Sequence, residues 1–136
     1  NRIGKLFEDY YVFCFERNPW AKVVSRYLFY RKFDGSFSLS FREFVKSDLI
    51  YDALNFPLYI DLTGGKVIVD FVGYYENLEE DFAKAMRKVG LPEELDVKIN
   101  TSQEAEIGYR RFYDKELRER VGDVYRFEIE LHGFEF

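Results

Sequence analysis

The 136-residue sequence has few of the residues on which several kinds of site and fold depend. Its one cysteine, Cys14, excludes an internal disulfide framework and a Cys-x-x-Cys metal site. No apolar run approaches the roughly 20 residues that a membrane-spanning helix needs, and no signal peptide is visible. The 20 basic residues are outnumbered by 25 acidic ones, for a formal net charge of −5. Binding to nucleic acid or to an anionic membrane through overall charge is therefore not expected.

Aromatic residues, in contrast, are abundant: 15 Phe and 11 Tyr bring the aromatic share to 20%. With 47% hydrophobic residues, the chain can build a core, which we expect to be filled largely with rings. The length predicts a single domain over residues 1–136. Because the only methionine is Met86 and a strand-like segment begins within ten residues of Asn1, we expect the downstream part of a longer domain.

The first half of the chain predicts a strand followed by two helices. Residues 10–15 form a short aromatic and β-branched run, typical of a strand that is buried on both faces in a parallel sheet. Asn18 and Pro19 then provide a favoured N-cap and a favoured first helical residue. Ser40 and Glu43 have the spacing of a capping box, which predicts the start of a second helix.

The second half predicts a hairpin and two further helices. Apolar stretches at 58–62 and 66–71 flank a Thr-Gly-Gly turn, and Asn77 is expected to cap a helix that ends at a glycine. Residues 96–108 are predicted to be a loop, and a last helix starts near Asp114. The positions expected on its buried face are Leu117, Val121, Val124 and Leu131. This order of elements favours an α/β layered fold with an added hairpin.

The junction between the first strand and the first helix is the most informative candidate site. In open α/β sheets, ligands bind beyond the carboxyl ends of the strands, and helix N-termini present N–H groups to anions. Arg17 lies at this junction, where its guanidinium could hold a phosphate through two parallel hydrogen bonds. Ser25, two helical turns further on, could donate its hydroxyl to the same anion. Alternatively, Arg17 pairs with Glu16 or another carboxylate, and Ser25 is an ordinary surface residue.

Three segments, in order, resemble motifs of the sulfotransferase family. The segment FERNPWAKVVSRY, residues 15–27, resembles the family's 3′-phosphate-binding motif, in which a strand ends in Arg and Ser follows eight residues later. The segment DFVGYYENLEEDF, residues 70–82, resembles a stretch of the carbohydrate sulfotransferase branch. Residues 109–136 are similar to that branch's closing tyrosine-rich stretch and terminal helix.

The resemblance implies a fold related to P-loop NTPases, with a parallel sheet covered by helices, and it implies 3′-phosphoadenosine 5′-phosphosulfate (PAPS) as the sulfuryl donor. Arg17 and Ser25 would hold the 3′-phosphate. Ser102 matches a family serine in the polar loop before the last helix and would approach the cofactor; the alternative is an ordinary surface loop. Asn100 also opens a glycosylation sequon, which matters only in a secretory compartment.

Two parts of the family's machinery are missing from these residues. The family holds the phosphosulfate with a Gly- and Ser/Thr-rich loop after its first strand, and no such loop precedes Arg17. Gly64-Gly65-Lys66 lies in the predicted hairpin instead. The catalytic base is therefore unknown and expected upstream, in a domain that is incomplete here, and no metal is expected. We interpret His132, the only histidine, as a charge partner for the end of the last helix.

Two further polar stretches are interpreted as structural. Asn77 is expected to cap its helix, and Glu76 is expected to be a buried carboxylate bonded to backbone amides. Arg110 and Arg111 form a small basic spot beside aromatic rings. They could meet an anionic acceptor, but a solvated charged face is the default interpretation.

The sequence thus predicts a PAPS-dependent sulfotransferase that moves a sulfuryl group to a hydroxyl, with a glycan as the expected acceptor. The alternative is a non-catalytic nucleotide-binding or interaction module on the same fold. A kinase-like P-loop enzyme is disfavoured because the chain has no Gly-Lys-Ser or Gly-Lys-Thr sequence. A bacterial cytoplasmic location is favoured over a Golgi enzyme whose anchor has been removed. The acceptor's identity and the oligomeric state are not predicted.

Overall fold

The computed structural model describes residues 9–95 and 108–136 and shows a mixed α/β protein. The chain divides into two compact units. Within the described residues, the first unit contains residues 9–17 and 55–95, and the second contains residues 18–54 and 108–136. None of the helices in these ranges is both long enough and apolar enough to cross a membrane.

In chain order, the regular elements are β1 (Phe13–Glu16), α1 (Pro19–Phe33), α2 (Phe41–Lys46), α3 (Phe56–Tyr59), β2 (Ile60–Asp61), β3 (Lys66–Val67), β4 (Phe71–Tyr74), α4 (Leu78–Val89), α5 (Lys115–Val124) and α6 (Arg126–His132). Turns of 3₁₀ helix lie at Asp48–Ala53, Tyr75–Asn77 and Tyr109–Phe112.

The first unit is built on the parallel pair β1 and β4. Phe13 pairs with Phe71 at one end of the register, and Glu16 pairs with Tyr74 at the other. The parallel pairing expected for this strand is therefore confirmed. Glu16 is fully buried, but the three residues before it are only half-buried. The expectation of a strand buried on both faces is wrong, because a sheet of two strands is too narrow to be covered completely on both sides.

A short antiparallel hairpin, β2 and β3, completes the strands described in the first unit. Ile60 pairs with Val67, and the Asp61 carboxylate accepts hydrogen bonds from the backbone N–H and the hydroxyl of Thr63, at 2.9 and 2.7 Å. Gly65 has a φ of 68°, a conformation that glycine adopts without strain. The hairpin was predicted. The apolar stretch after its turn, however, divides between β3 and the separate parallel strand β4.

Helix α4 begins differently from the prediction. The Asn77 side chain makes no cap hydrogen bond to the helix and donates instead to the Asp81 carboxylate at 3.1 Å. Asp81 is 5% exposed and also accepts from the Tyr74 backbone N–H at 2.8 Å. Glu76 is exposed. The buried carboxylate that accepts from a backbone amide is therefore Asp81, which lies one turn inside the helix and bonds to the last residue of β4.

The second unit is a helical body with a ring-rich core. Ser40 and Glu43 form the predicted capping box at the start of α2. Two tyrosine hydroxyls in this unit donate hydrogen bonds to backbone carbonyls. The Tyr125 hydroxyl donates to Ile50 O at 2.5 Å, and the Tyr113 hydroxyl donates to Trp20 O at 2.7 Å. The buried core residues are Trp20, Ala21, Val23, Val24, Tyr27, Phe41, Phe44, Val45, Ile50, Tyr109, Leu117, Val121 and Tyr125.

The predicted last helix is in fact two helices, α5 and α6, which meet at Tyr125. Asp114 caps α5 as expected, since its side chain accepts from the Leu117 N–H at 2.9 Å. Leu131 is exposed, so its predicted place in the core is wrong. Tyr125 separates the two helices with a non-helical backbone, and the single apolar stripe expected of one continuous helix does not continue. Tyr125 and Glu128 occupy the buried positions instead.

A buried ion pair links α1 to α6 inside the second unit. The Lys22 Nζ lies 2.7 Å from Glu128 Oε2, and the Glu128 side chain is completely buried. Lys22 also lies 5.3 Å from the centre of the Tyr125 ring, within the range of a cation–π contact. Burying either charge alone is costly, so each side chain depends on the other.

We expect Lys22→Met to lower the free energy of unfolding by about 3–5 kcal/mol, because it removes the cation that lies 2.7 Å from the fully buried Glu128 carboxylate. The double change Lys22→Met with Glu128→Leu removes both charges, and most of the stability should return. Urea denaturation of the two variants and the wild type measures the effect. A single variant as stable as the wild type would contradict the account.

Gly73 on β4 is required by close packing. A Cβ atom at this position would lie 2.6 Å from Phe15 Cε1 and 3.1 Å from Asp81 Cβ. We expect Gly73→Ala to destabilise the protein by about 1–3 kcal/mol, because the Phe15 ring would have to move. Gly35→Ala is the matched control, since no atom lies within 4 Å of the methyl group that this change would add. Thermal unfolding of both variants tests this, and equal midpoints would refute it.

Candidate functional site

Arg17 directly follows β1, at the carboxyl end of the parallel pair. Because Glu16 is in register with Tyr74, the next residue on each strand, Arg17 and Tyr75, leaves the sheet at the same edge. The Arg17 guanidinium carbon lies 4.3 Å from the centre of the Tyr75 ring. This cation–π contact fixes the position of the charged group at the sheet edge.

Glu16, the residue before Arg17, is only 1% exposed. Its Oε2 accepts a 2.7 Å hydrogen bond from the Tyr59 hydroxyl, and its Oε1 accepts from Asn55 Nδ2 at 3.1 Å. Oε1 also accepts from the backbone N–H of Arg17 at 3.2 Å. A buried carboxylate needs such donors, and here they connect the end of β1 to the start and end of α3. Sequence reasoning did not predict this cluster, although a glutamate closing an apolar strand was a visible signal.

The N-terminus of α1 differs from the expected anion site. Pro19 has no N–H, and Asn18 Oδ1 accepts from the backbone N–H groups of Trp20 at 3.1 Å and Ala21 at 3.4 Å. The N–H of Lys22 donates to Asn18 O at 2.8 Å. Asn18 thus accepts from the N–H groups of the first turn, as its predicted place as the N-cap implies. The positive end of the helix dipole remains, but the hydrogen bonds to an anion would have to come from side chains.

The other two residues predicted to bind the cofactor are placed as follows. Ser25 is half-buried on α1 and belongs to the second unit, whereas Arg17 belongs to the first. Ser102 lies outside the described residues, as do Lys98 and the sequon at Asn100. Within residues 9–95 and 108–136, His, Cys, Asp and Glu do not form a group of three or more that could hold a metal ion.

Negative charge near the carboxyl end of β1 affects two neighbouring groups. Burial, together with the charge of Glu16, raises the pKa of the Cys14 thiol to about 11. The pKa of the Tyr74 hydroxyl is also raised, mainly by burial and then by Asp81 and Glu16. Both groups therefore stay protonated at neutral pH. Among the side chains described at this edge, the Arg17 guanidinium is the group suited to hold an anion.

The basic spot predicted in the second unit is exposed. Arg110 and Arg111 both face solvent, and the Arg110 guanidinium carbon lies 5.1 Å from the Tyr109 ring and 5.8 Å from the Phe136 ring. His132 is the last residue of α6, as predicted, and Gly133 follows in the left-handed conformation with φ 71°. The two arginines have the character of a solvated surface, whereas His132 is half-buried and its ring centre lies 5.6 Å from that of Phe134.

Comparison with known proteins places the chain in a family. An uncharacterized protein of Archaeoglobus fulgidus is 72% identical over 113 residues, which are 82% of this chain and 92% of that protein. A second, shorter protein of the same organism is 69% identical over 26 residues, 19% of this chain and 84% of its own length. No protein-family model and no solved structure matches the sequence. The chain belongs to the same family as the first of these archaeal proteins.

We expect Cys14 to react slowly with thiol reagents, because the thiolate is the reactive form and a pKa of about 11 keeps its share small. At pH 8 the native thiolate fraction should be about 100-fold below that of a thiol with the ordinary pKa of 9.0. The rate of reaction with a disulfide reagent, measured against pH, tests this. The native rate should still rise above about pH 10.5, whereas a rate that has levelled off by about pH 10, as for the urea-unfolded chain, would disprove the assignment.

Proposed function

We propose that the protein is a PAPS-dependent sulfotransferase that transfers a sulfuryl group to a hydroxyl, with a carbohydrate as acceptor. The observation that carries the proposal is the placement of Arg17 at the carboxyl end of a parallel strand, immediately before a capped helix. Phosphate groups bind at this position in α/β proteins. The three ordered segments that resemble sulfotransferases are the reason that we propose the 3′-phosphate of the donor as this phosphate.

Arg17 is chemically suited to this role. A guanidinium is planar and permanently charged, and it can donate two parallel hydrogen bonds to one phosphate. Such bonds lie in the plane of the guanidinium, and the guanidinium carbon lies over the Tyr75 ring, 4.3 Å from its centre. The contact with the ring would hold the charged group ready for the ligand.

The two serines would complete the nucleotide contacts. Ser25 lies eight residues after Arg17, the spacing of the family's 3′-phosphate motif, and is half-buried on α1. On that resemblance alone we assign Ser25 to the binding of the 3′-phosphate and Ser102 to the binding of the cofactor. We also propose that the protein has a P-loop NTPase-like layered fold with an added hairpin. The strand-to-helix junction at Arg17 and the parallel pairing of β1 with β4 support this fold.

Sulfuryl transfer is an in-line displacement in which the acceptor oxygen bonds to sulfur as the bond from sulfur to the bridging phosphate oxygen breaks. Cations and N–H groups stabilise the charge that spreads over the oxygens, and a base takes the hydroxyl proton. In this chain, Arg17 and Ser25 would bind and orient the adenosine end of the donor, away from the sulfur. We assign none of its residues to the base.

A second candidate is a non-catalytic module that binds the nucleotide without transferring sulfate. The observation that favours it is the lack of a Gly- and Ser/Thr-rich phosphosulfate loop in the 136 residues. In both candidate functions Arg17 binds the 3′-phosphate of the nucleotide. They differ only in whether the protein transfers sulfate. Transfer of radiolabelled sulfate from PAPS to a panel of sugar hydroxyls by the purified protein would eliminate the module.

Calorimetric titration with 3′-phosphoadenosine 5′-phosphate (PAP) tests the binding role. We expect Arg17→Ala to weaken binding by at least about tenfold, because a charge-assisted contact contributes roughly 1.5–3 kcal/mol. Arg87→Ala is the matched control, since Arg87 is an exposed arginine of the same unit, paired with Glu93. Its affinity should equal that of the wild type. An Arg17→Ala variant with unchanged affinity would rule out the assigned role.

A further inference from the structure

We infer that Glu16 is the positioning residue for the Arg17 anion contact: its buried carboxylate holds the Arg17 backbone so that the guanidinium lies on Tyr75, ready for a 3′-phosphate. This inference rests on the proposed function. It adds residues that the sulfotransferase-like segments do not assign, Glu16 and its donors Tyr59 and Asn55.

The Glu16 carboxylate is an unusual group to place at the end of a strand that is otherwise apolar. A valine or leucine would fill such a position without the cost of burying a charge. The carboxylate is nevertheless 1% exposed and accepts hydrogen bonds from Tyr59, Asn55 and the Arg17 backbone. Tyr59 is itself 2% exposed, so the cluster lies in a packed interior and not on a mobile surface.

Two contacts therefore restrain Arg17 at opposite ends of the residue. Its backbone N–H donates to Glu16 Oε1 at 3.2 Å, and its guanidinium lies 4.3 Å from the centre of the Tyr75 ring. Arginine has several rotatable bonds, and ordering it on binding costs free energy. A side chain already held in place avoids part of that cost. The loss of the backbone restraint should thus weaken the phosphate contact without removing any atom that touches the ligand.

One substitution of Glu16 keeps the hydrogen bonds of its side chain, and another removes them. In Glu16→Gln, the amide oxygen still accepts from Arg17 and Asn55, and the amide NH₂ donates to the Tyr59 hydroxyl, which can accept as well as donate. In Glu16→Val, all three donors lose their acceptor. Tyr59→Phe is a milder variant, because it removes one hydrogen bond and leaves the carboxylate in place.

The test compares the affinities of each variant for PAP and for adenosine 5′-monophosphate, which lacks the 3′-phosphate. We expect Glu16→Val to lower the ratio of the two affinities by about 3- to 10-fold, Tyr59→Phe to lower it less, and Glu16→Gln to restore most of it. Ala85→Gly is the control: it destabilises α4, where Ala85 is fully buried, without a change in the Glu16 cluster. General destabilisation would weaken both nucleotides equally and leave the ratio unchanged.

A second readout needs no nucleotide and separates this inference from the proposed function. We expect the Tyr75 ring current to shift the NMR signal of the Arg17 Nε–H, since the guanidinium carbon lies 4.3 Å from the ring centre; the signal is identified by its loss in Arg17→Lys. We expect Glu16→Val and Tyr59→Phe to move it towards the value of an exposed arginine, and Glu16→Gln to restore it. A signal that stays in place in both Glu16→Val and Tyr59→Phe would overturn the positioning role. A wild type that does not prefer PAP would instead refute the proposed function, and the NMR result would still decide the role of Glu16.

Discussion

The first unit depends on the need to satisfy one buried carboxylate. Glu16 is excluded from water, so its oxygens must receive hydrogen bonds from protein groups, and they do so from Tyr59, Asn55 and the Arg17 backbone. These donors connect the end of β1 to α3, more than 35 residues further along the chain. The same carboxylate helps to keep the Cys14 thiol protonated and fixes the backbone from which Arg17 extends. Glu16 therefore contributes both to the packing of the first unit and to the proposed position of Arg17.

The second unit also contains buried polar groups that pair with other protein groups. Lys22 and Glu128 bury opposite charges against each other, and the hydroxyls of Tyr125 and Tyr113 bond to backbone carbonyls. Because the aromatic core surrounds these groups, α1 is held to α6 by polar contacts as well as by packing. Because α1 is held in this way, it can keep Ser25 in the constant orientation that its proposed role requires.

The sequence predicted the features that depend on a few neighbouring residues. The Asn18-Pro19 start of α1 and the Ser40–Glu43 capping box were both confirmed, because each is decided within about one helical turn. Partners distant in the chain were not predicted. The contact of Glu16 with Tyr59 spans 43 residues, and the break between two helices at Tyr125 was not visible as a local pattern. Among the proposed site residues, Arg17 was predicted from its position after a strand, whereas Glu16 required the structure.

A crystal structure of the protein with PAP bound would show whether Arg17 holds the 3′-phosphate of an adenosine nucleotide at the carboxyl end of the β1–β4 pair, as we propose. We expect two hydrogen bonds of about 2.7–2.9 Å from the Arg17 guanidinium to oxygens of the 3′-phosphate, with the guanidinium still against the Tyr75 ring. A nucleotide bound with its 3′-phosphate away from Arg17 would disprove this role.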